Sequence, residues 1–211
     1  MDTIIPIFPL SLVVYPGEQL NLHVFEPRYK QLVNESLAHA TPFGIPAFVN
    51  GKLCLHGTEV EVMTVERVYS HGEMDIHTLG LKIFTIEEII RQVPGKLYSA
   101  ARIRWVTNKM NGDNYLRDEV LDMLRQLHNT LHIAKEKLDD PETFTTFKVA
   151  HYVGFSLEEE YDFLKLAGER DRQFMLLHHL RKILPIVQET ENLKQRIQAN
   201  GHFKDVLPPA F

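Results

Sequence analysis

The side chains best suited to chemistry in this chain are its histidines, and two of them, His128 and His132, stand four residues apart. On a helix that spacing puts both imidazoles on one face, as a tetrahedral zinc site would need. A third ligand would have to come from elsewhere, for example His178 or His179. The pair has no cysteine or acidic partner at metal-ligand spacing, so solvated or helix-packing histidines are expected and no metal is assigned. His23, His71 and His77 fall on strand or turn positions with no evident partner. Nucleophile and nucleotide motifs are missing too. There is no Gly-x-Ser-x-Gly, no His-Glu-x-x-His and no Gly-x-x-x-x-Gly-Lys-Ser/Thr. The chain reads as non-catalytic, with no cofactor.

Composition bounds the remaining classes. A chain of 211 residues with 44% hydrophobic and 24% charged content can bury a core as one large or two small domains. No apolar run approaches the roughly 18 residues of a membrane span, and Met1-Asp2-Thr3 does not open a signal peptide. The single cysteine, Cys54, excludes an internal disulfide and is expected as a small buried hydrophobe on a strand. A cytoplasmic protein is the simplest account. The formal net charge is −5, with 9 Lys/Arg and 11 Asp/Glu up to Asn108 and 14 and 17 after it. Neither half carries the basic excess of a nucleic-acid binder, so nucleic acid is not an expected partner.

The elements that must position any site begin with Ile4–Leu37. Ile4, Ile5 and Ile7 form a short β-branched run that Pro6 confines to a strand end or sheet edge. Pro9 and Pro16-Gly17 signal turns. Leu20, Leu22 and Val24 alternate with Gln19, Asn21 and His23, the period of a half-buried strand. Glu26-Pro27 then opens a helix whose apolar side is Tyr29, Leu32, Val33 and Leu37. Pro46 interrupts the next strand, and Asn50-Gly51 turns the chain toward Cys54. The valines at 60, 62, 65 and 68 slip in phase between 62 and 65, which predicts a bulge. Gly80 is expected to break or bend the run that follows. Ala101, Ile103 and Trp105 alternate with Arg102 and Arg104, with Trp105 on the buried side. One helix among short strands predicts a small closed or half-open barrel.

After the polar stretch Lys109–Asn114 the pattern turns helical. Leu116, Val120, Leu124, Leu127, Leu131 and Leu138 recur at helical spacing, with Leu121 on the flank. Asp139-Asp140-Pro141-Glu142 stops this helix and starts a second, which Gly154 ends. Ser156-Leu157-Glu158-Glu159 reads as a capping box for a short third helix. A last helix from Arg170 carries Phe174, Leu177, Leu180, Ile183, Leu184 and Val187, with a kink expected at Pro185. The expected organisation is a β domain over 1–108, a helical bundle over 115–200 and a tail over 201–211. The tail's Phe203, Val206, Leu207 and Phe211 suggest docking.

Several of these motifs, in order, resemble the Lon substrate-binding domain, the N-terminal domain of ATP-dependent Lon proteases, which also occurs alone in bacterial proteins and within cereblon. The matching residues are Pro9-Leu10, Val13-Val14, Pro16-Gly17, Phe25-Glu26-Pro27-Arg28-Tyr29, Gly57-Thr58 and Gly80-Leu81-Lys82-Ile83-Phe84. At Lys82 the family more often has arginine. Gly154–Glu160 is similar to the helical part of the Lon N-terminal region. The resemblance implies an α+β fold, with an N-terminal PUA-like pseudo-barrel followed by a helical bundle. The Ser-Lys peptidase and ATPase of Lon proteases reside in other domains, so it implies recognition without catalysis.

Two functions then stand in different classes. In the first, a cleft between barrel and bundle captures exposed apolar segments of unfolded or partly folded proteins, or the chain acts as an adaptor in protein quality control. Its candidate substrate-binding residues are Phe25, Arg28, Tyr29 and Phe84. The structural alternative makes Phe25 and Tyr29 core anchors and pairs Arg28 with an acid. In the second, as in PUA-type barrels, Lys82, Lys96, Arg102 and Arg104 gather on one face to bind RNA or a nucleotide. The acidic balance counts against it.

Overall fold

The computed structural model describes residues 3–132 and 143–201. Leu138, the Asp139–Glu142 signal and the tail residues Phe203, Val206, Leu207 and Phe211 lie outside the described residues. Internal contacts divide the chain into two units: Met1–Asn111 with Thr145–Asp171, and Gly112–Phe144 with Arg172–Phe211. Composition shifts near residue 109, but the contacts return Thr145–Asp171 to the β unit.

The first unit is an antiparallel sheet of β1 (Thr3–Pro6), β2 (Gln19–Val24), β3 (Phe43–Val49), β4 (Lys52–Val68), β5 (Met74–Ile90) and β6 (Ala100–Trp105), with α1 (Pro27–His39) between β2 and β3. The strand order is β1-β6-β5-β4-β3, and β2 pairs with β5. The path closes on itself. Beyond β1 the chain runs parallel to β3, with Phe8 N–H donating to the Gly44 carbonyl at 2.8 Å and Phe48 N–H to the Leu10 carbonyl at 2.8 Å. Pro6 ends β1, where its missing N–H breaks no ladder. Pro46 sits at a register shift between β3 and β4, and the slip read between Val62 and Val65 begins at a shift between Val62 and Thr64. Asn50 and Gly51 both take positive φ, 51° and 74°, as a tight hairpin turn of matching twist requires.

Inside, Val24, Leu32, Val33, Phe43, Val60 and Ile76 form one core cluster, and Ile5, Ile7, Phe84, Ile86 and Ile103 another. Gly80 does not break its strand: β5 runs unbroken through it for 17 residues. A Cβ at Gly80 would lie 2.3 Å from the Tyr15 carbonyl oxygen. The glycine is there for close backbone approach, and the contact is tied by Gly17 N–H to Gly80 O and Gly80 N–H to Glu18 O, each 2.8 Å. Trp105, expected inside, is 37% exposed and carries Lys82 Nζ 5.5 Å from its ring centre. Cys54 is half-buried on β4.

Residues 145–171 pack on the same unit. The helix expected up to Gly154 is instead, among the described residues, two 3-10 turns, Thr146–Lys148 and Ala150–Tyr152. Thr145, Thr146 and Val149 lower helix propensity here. Glu169 accepts from the Thr146 N–H at 2.8 Å and its hydroxyl at 3.0 Å, which holds the turn. The capping box forms as read, opening a short helix, Leu157–Leu164. Phe147 and Phe163 of this segment pack around Tyr15, which is fully buried and donates its hydroxyl to the Glu160 carbonyl at 3.1 Å.

The second unit holds α2 (Asn114–Leu131), with Leu116, Val120, Leu121, Leu124 and Leu127 on its buried stripe. Asp113 caps it by accepting from the N–H groups of Tyr115 and Leu116. The 33-residue helix Glu169–Gly201 begins in the first unit and continues through the second, with Pro185 inside it. Gln173 accepts from Asp113 N–H at 2.8 Å, and Arg181 pairs with Glu119.

A half-buried clasp joins Glu18, His151 and Glu160. The His151 Nδ1 lies 2.7 Å from Glu160 and its Nε2 lies 3.0 Å from Glu18. Burial disfavours a charged ring, but the hydrogen bonds to Glu160 and Glu18 outweigh it and push the His151 pKa up to about 10. A folded pKa above the unfolded value near 6.5 gives stability that is full below pH ~6.5 and is lost as pH rises through ~10. Denaturant titrations should therefore show stability falling between about pH 7 and 10. His151→Ala, which leaves two carboxylates facing, should cost about 2–3 kcal/mol at pH 6 and flatten that slope. Gly80→Ala should cost about 2 kcal/mol or more, read as a lower melting temperature, because its new methyl meets backbone rather than a movable side chain.

Candidate functional site

The turn at Tyr15–Glu18 aims β2, and β2 delivers Phe25 to the start of α1. Gly17 takes φ 82°, the left-handed conformation that glycine adopts without strain. β2 then runs antiparallel to β5 from Gln19 opposite Leu79 to Val24 opposite Met74. Glu26 is the N-cap in extended conformation and Pro27 follows at the first helical turn, where a missing N–H costs nothing. Glu26 makes no side-chain cap; its carboxylate instead accepts from the Arg28 Nε at 2.9 Å.

The four residues read from the sequence separate here. Phe25 is 59% exposed, so it is not a core anchor. The Arg28 side chain is 54% exposed, paired with Glu26, and its guanidinium lies 5.0 Å from the Tyr29 ring centre. Tyr29 is half-buried and stacks on Phe8 at 3.8 Å between centroids. Burial raises its pKa, so it remains a neutral phenol. Phe84 needs correction as a site residue. It is 0% exposed, in the core with Ile5, Ile7 and Ala101, because its position on β5 faces into the barrel. It offers no surface to a partner.

Two neighbours of Phe25 went unassigned in the sequence. The His23 ring stacks on Phe25 at 6.0 Å and meets the Tyr69 ring edge-on at 5.7 Å. Asp75 fixes both, 2.6 Å from His23 Nδ1 and 2.7 Å from the Tyr69 hydroxyl. These bonds hold the Asp75 carboxyl below its usual range, with His23 the larger influence. Arg67 lies 4.9 Å from the Tyr69 ring centre, and Lys30 reaches the His71 carbonyl at 2.9 Å, tying α1 to the β4–β5 hairpin end. Next along the sheet, His77 lies 2.5 Å from the Asn21 side-chain oxygen and 3.1 Å from Glu66. The result is an aromatic shelf, Phe25–His23–Tyr69, rimmed by paired charges. Only the pairing of β2 with β5, about fifty residues apart in the chain, assembles it.

This arrangement suits contact rather than reaction. At the other end of α1, a cavity lined by Leu32, Glu35, His39, Phe43 and Tyr98 holds about 190 Å³, below the roughly 300–1,000 Å³ of small-molecule sites. Its Glu35 already accepts from Lys96 at 2.7 Å and from Tyr98. His128 is buried on α2 with its Nδ1 unpartnered. His132 is the exposed C-cap residue past the helix end, at φ 54°. Among the described residues no group of three His, Cys, Asp or Glu is placed to hold a metal. The basic residues considered for RNA are engaged: Arg102 with Glu88, Arg104 with Glu87, Lys96 with Glu35 and Lys82 over Trp105. Among the described residues no helix is long and apolar enough to cross a membrane.

The same architecture occurs in known proteins. A Lon N-terminal domain protein from Xanthomonas campestris superposes with a TM-score of 0.63 at 22% identity, covering 83% of this chain and 98% of that one. The N-terminal domain of Mycobacterium avium complex Lon protease gives a TM-score of 0.69 at 13% identity, covering 85% and 98%. At these identities the likeness speaks to fold. Comparison with curated proteins finds no match. The family model for the ATP-dependent protease La (Lon) substrate-binding domain matches residues 4–182. That span takes in the whole barrel, α1, α2 and the first part of the last helix, so the chain belongs to the Lon substrate-binding domain family.

Proposed function

We propose that this protein is a non-catalytic recognition module that binds exposed apolar segments of other proteins, directly or as an adaptor in protein quality control. Phe25 carries the reading. An aromatic ring 59% exposed, at a rigid strand–helix junction and backed by His23 and Tyr69, is a ready anchor for an apolar side chain. Arg28 and Tyr29 extend the contact, and the Glu26–Arg28 pair together with Arg67, which lies over the Tyr69 ring, forms a polar rim. Membership of a family named for substrate binding supports a protein partner. The engagement of Lys82, Lys96, Arg102 and Arg104 with acids or a ring argues against RNA.

Titrating the protein into a labelled, permanently unfolded protein, with labelled RNA in parallel, tests this. The unfolded chain should bind with little change between roughly 50 and 200 mM salt, whereas phosphate-driven binding would fall steeply. Phe25→Ala should weaken binding about tenfold, the effect of a moderate hot spot, and leave the melting temperature unchanged because the ring is exposed. Salt-sensitive RNA binding without binding of the unfolded chain would overturn the reading.

A further inference from the structure

β2 joins the sheet by one edge. Among the described residues it pairs with β5 and with no other strand. The Gly80 N–H donates to the Glu18 carbonyl, which sets the phase of the ladder. Antiparallel pairing alternates, so Leu20, Leu22 and Val24 turn their backbone groups toward β5, while Gln19, Asn21 and His23 turn theirs away. All three outward residues are exposed. Their N–H and C=O groups, unpaired with other strands among the described residues, recur at about 7 Å, twice the rise of one extended residue.

Natural edges are guarded by charge, proline or a cover. β2, with the sequence Gln-Leu-Asn-Leu-His-Val, has no lysine, arginine, acid or proline. It leads directly into Phe25. The half-buried Leu20 and Leu22 flank the edge on the inner side, with polar Gln19, Asn21 and His23 on the outer. An occupant matching this edge is an extended protein segment alternating apolar and polar residues. A helix has already used its own backbone groups, and a nucleic acid has no such ladder.

We propose that the outer edge of β2 takes an extended segment of a bound protein as an added strand, hydrogen-bonded to the backbone of Gln19, Asn21 and His23, with Phe25 gripping an apolar side chain at its end. This rests on the protein-recognition reading and specifies its mode. Backbone pairing tolerates many sequences, and Phe25 supplies preference.

The test uses the full chain and an acetylated, amidated hexapeptide of alternating valine and threonine, beside the same peptide N-methylated at every residue. Binding should slow amide exchange at Gln19, Asn21 and His23 at least tenfold and leave Leu20, Leu22 and Val24, already paired with β5, nearly unchanged. The N-methylated peptide should not bind. Asn21→Pro removes one outward N–H without touching the β5 ladder and should weaken binding about tenfold; should that variant fail to fold, the peptide pair alone decides. Equal binding of both peptides, or protection without alternation, overturns the edge proposal and leaves the recognition reading standing. Failure of both the hexapeptide and an unfolded protein to bind overturns both. Protection at Gln19, Asn21 and His23 that rises with protein concentration and without peptide would assign the edge to a second copy, and the proposal would fall.

Discussion

The contact on which the rest of the first unit depends is the crossing of the Tyr15–Glu18 turn over Gly80. Backbone meets backbone there at a distance no side chain would permit, and two hydrogen bonds lock it. On one side of that turn, Tyr15 is buried among Phe147 and Phe163, and Glu18 holds His151. On the other side, β2 begins in fixed register with β5. A one-residue slip of β2 would move Leu20 and Leu22 to the solvent face and carry Phe25 away from Tyr69. The turn therefore sets both the attachment of residues 145–164 and the placement of the aromatic shelf.

That coupling explains why charged groups are half-buried near the turn. Two carboxylates facing one imidazole would be a liability if any partner were missing. Here both ring nitrogens are engaged, and Tyr15 finds the Glu160 carbonyl. Burial raises the Tyr15 phenol well above its ordinary range, with Glu160 and Glu18 adding to it, so it stays a neutral donor. The clasp contributes specificity as well as stability: a slipped β2 would strand charges.

Much of the fold was legible because its signals are local. Pro27 at a helix start, the Ser156–Glu159 capping box, the Asn50-Gly51 turn and the phase slip after Val62 each act within a few residues, and each is found in place. What failed to read locally is set by distant partners. Gly80 looked like a breaker, since nothing in its neighbourhood announces the Tyr15 carbonyl that it admits. The segment before Gly154 looked helical, but Glu169 captures Thr146 and the chain turns instead. At the site, exposed Phe25 and half-buried Tyr29 came from one short motif, whereas His23 and Tyr69 required the register of β2 on β5. Phe84 belongs to the same class: its motif marks a strand, but only the packing of β5 shows that its side chain points inward.

The pairing of charges around Phe25 shapes what this surface offers. Catalysis would need a polarised group aimed at a reacting atom; the titratable groups near Phe25 are instead tied to one another, His23 to Asp75 and Arg28 to Glu26. Such pairing removes charges that would otherwise compete for a partner and leaves the rings as the free apolar feature. Pairing at exposed positions adds little stability, so its physical consequence lies in orientation. Asp75 holds His23 beneath Phe25 and Tyr69 beside it, which limits the rotamer freedom a binding partner would have to freeze. For the proposed recognition, a pre-set aromatic shelf beside an unguarded strand edge lowers the entropy cost of binding without fixing the sequence of what is bound.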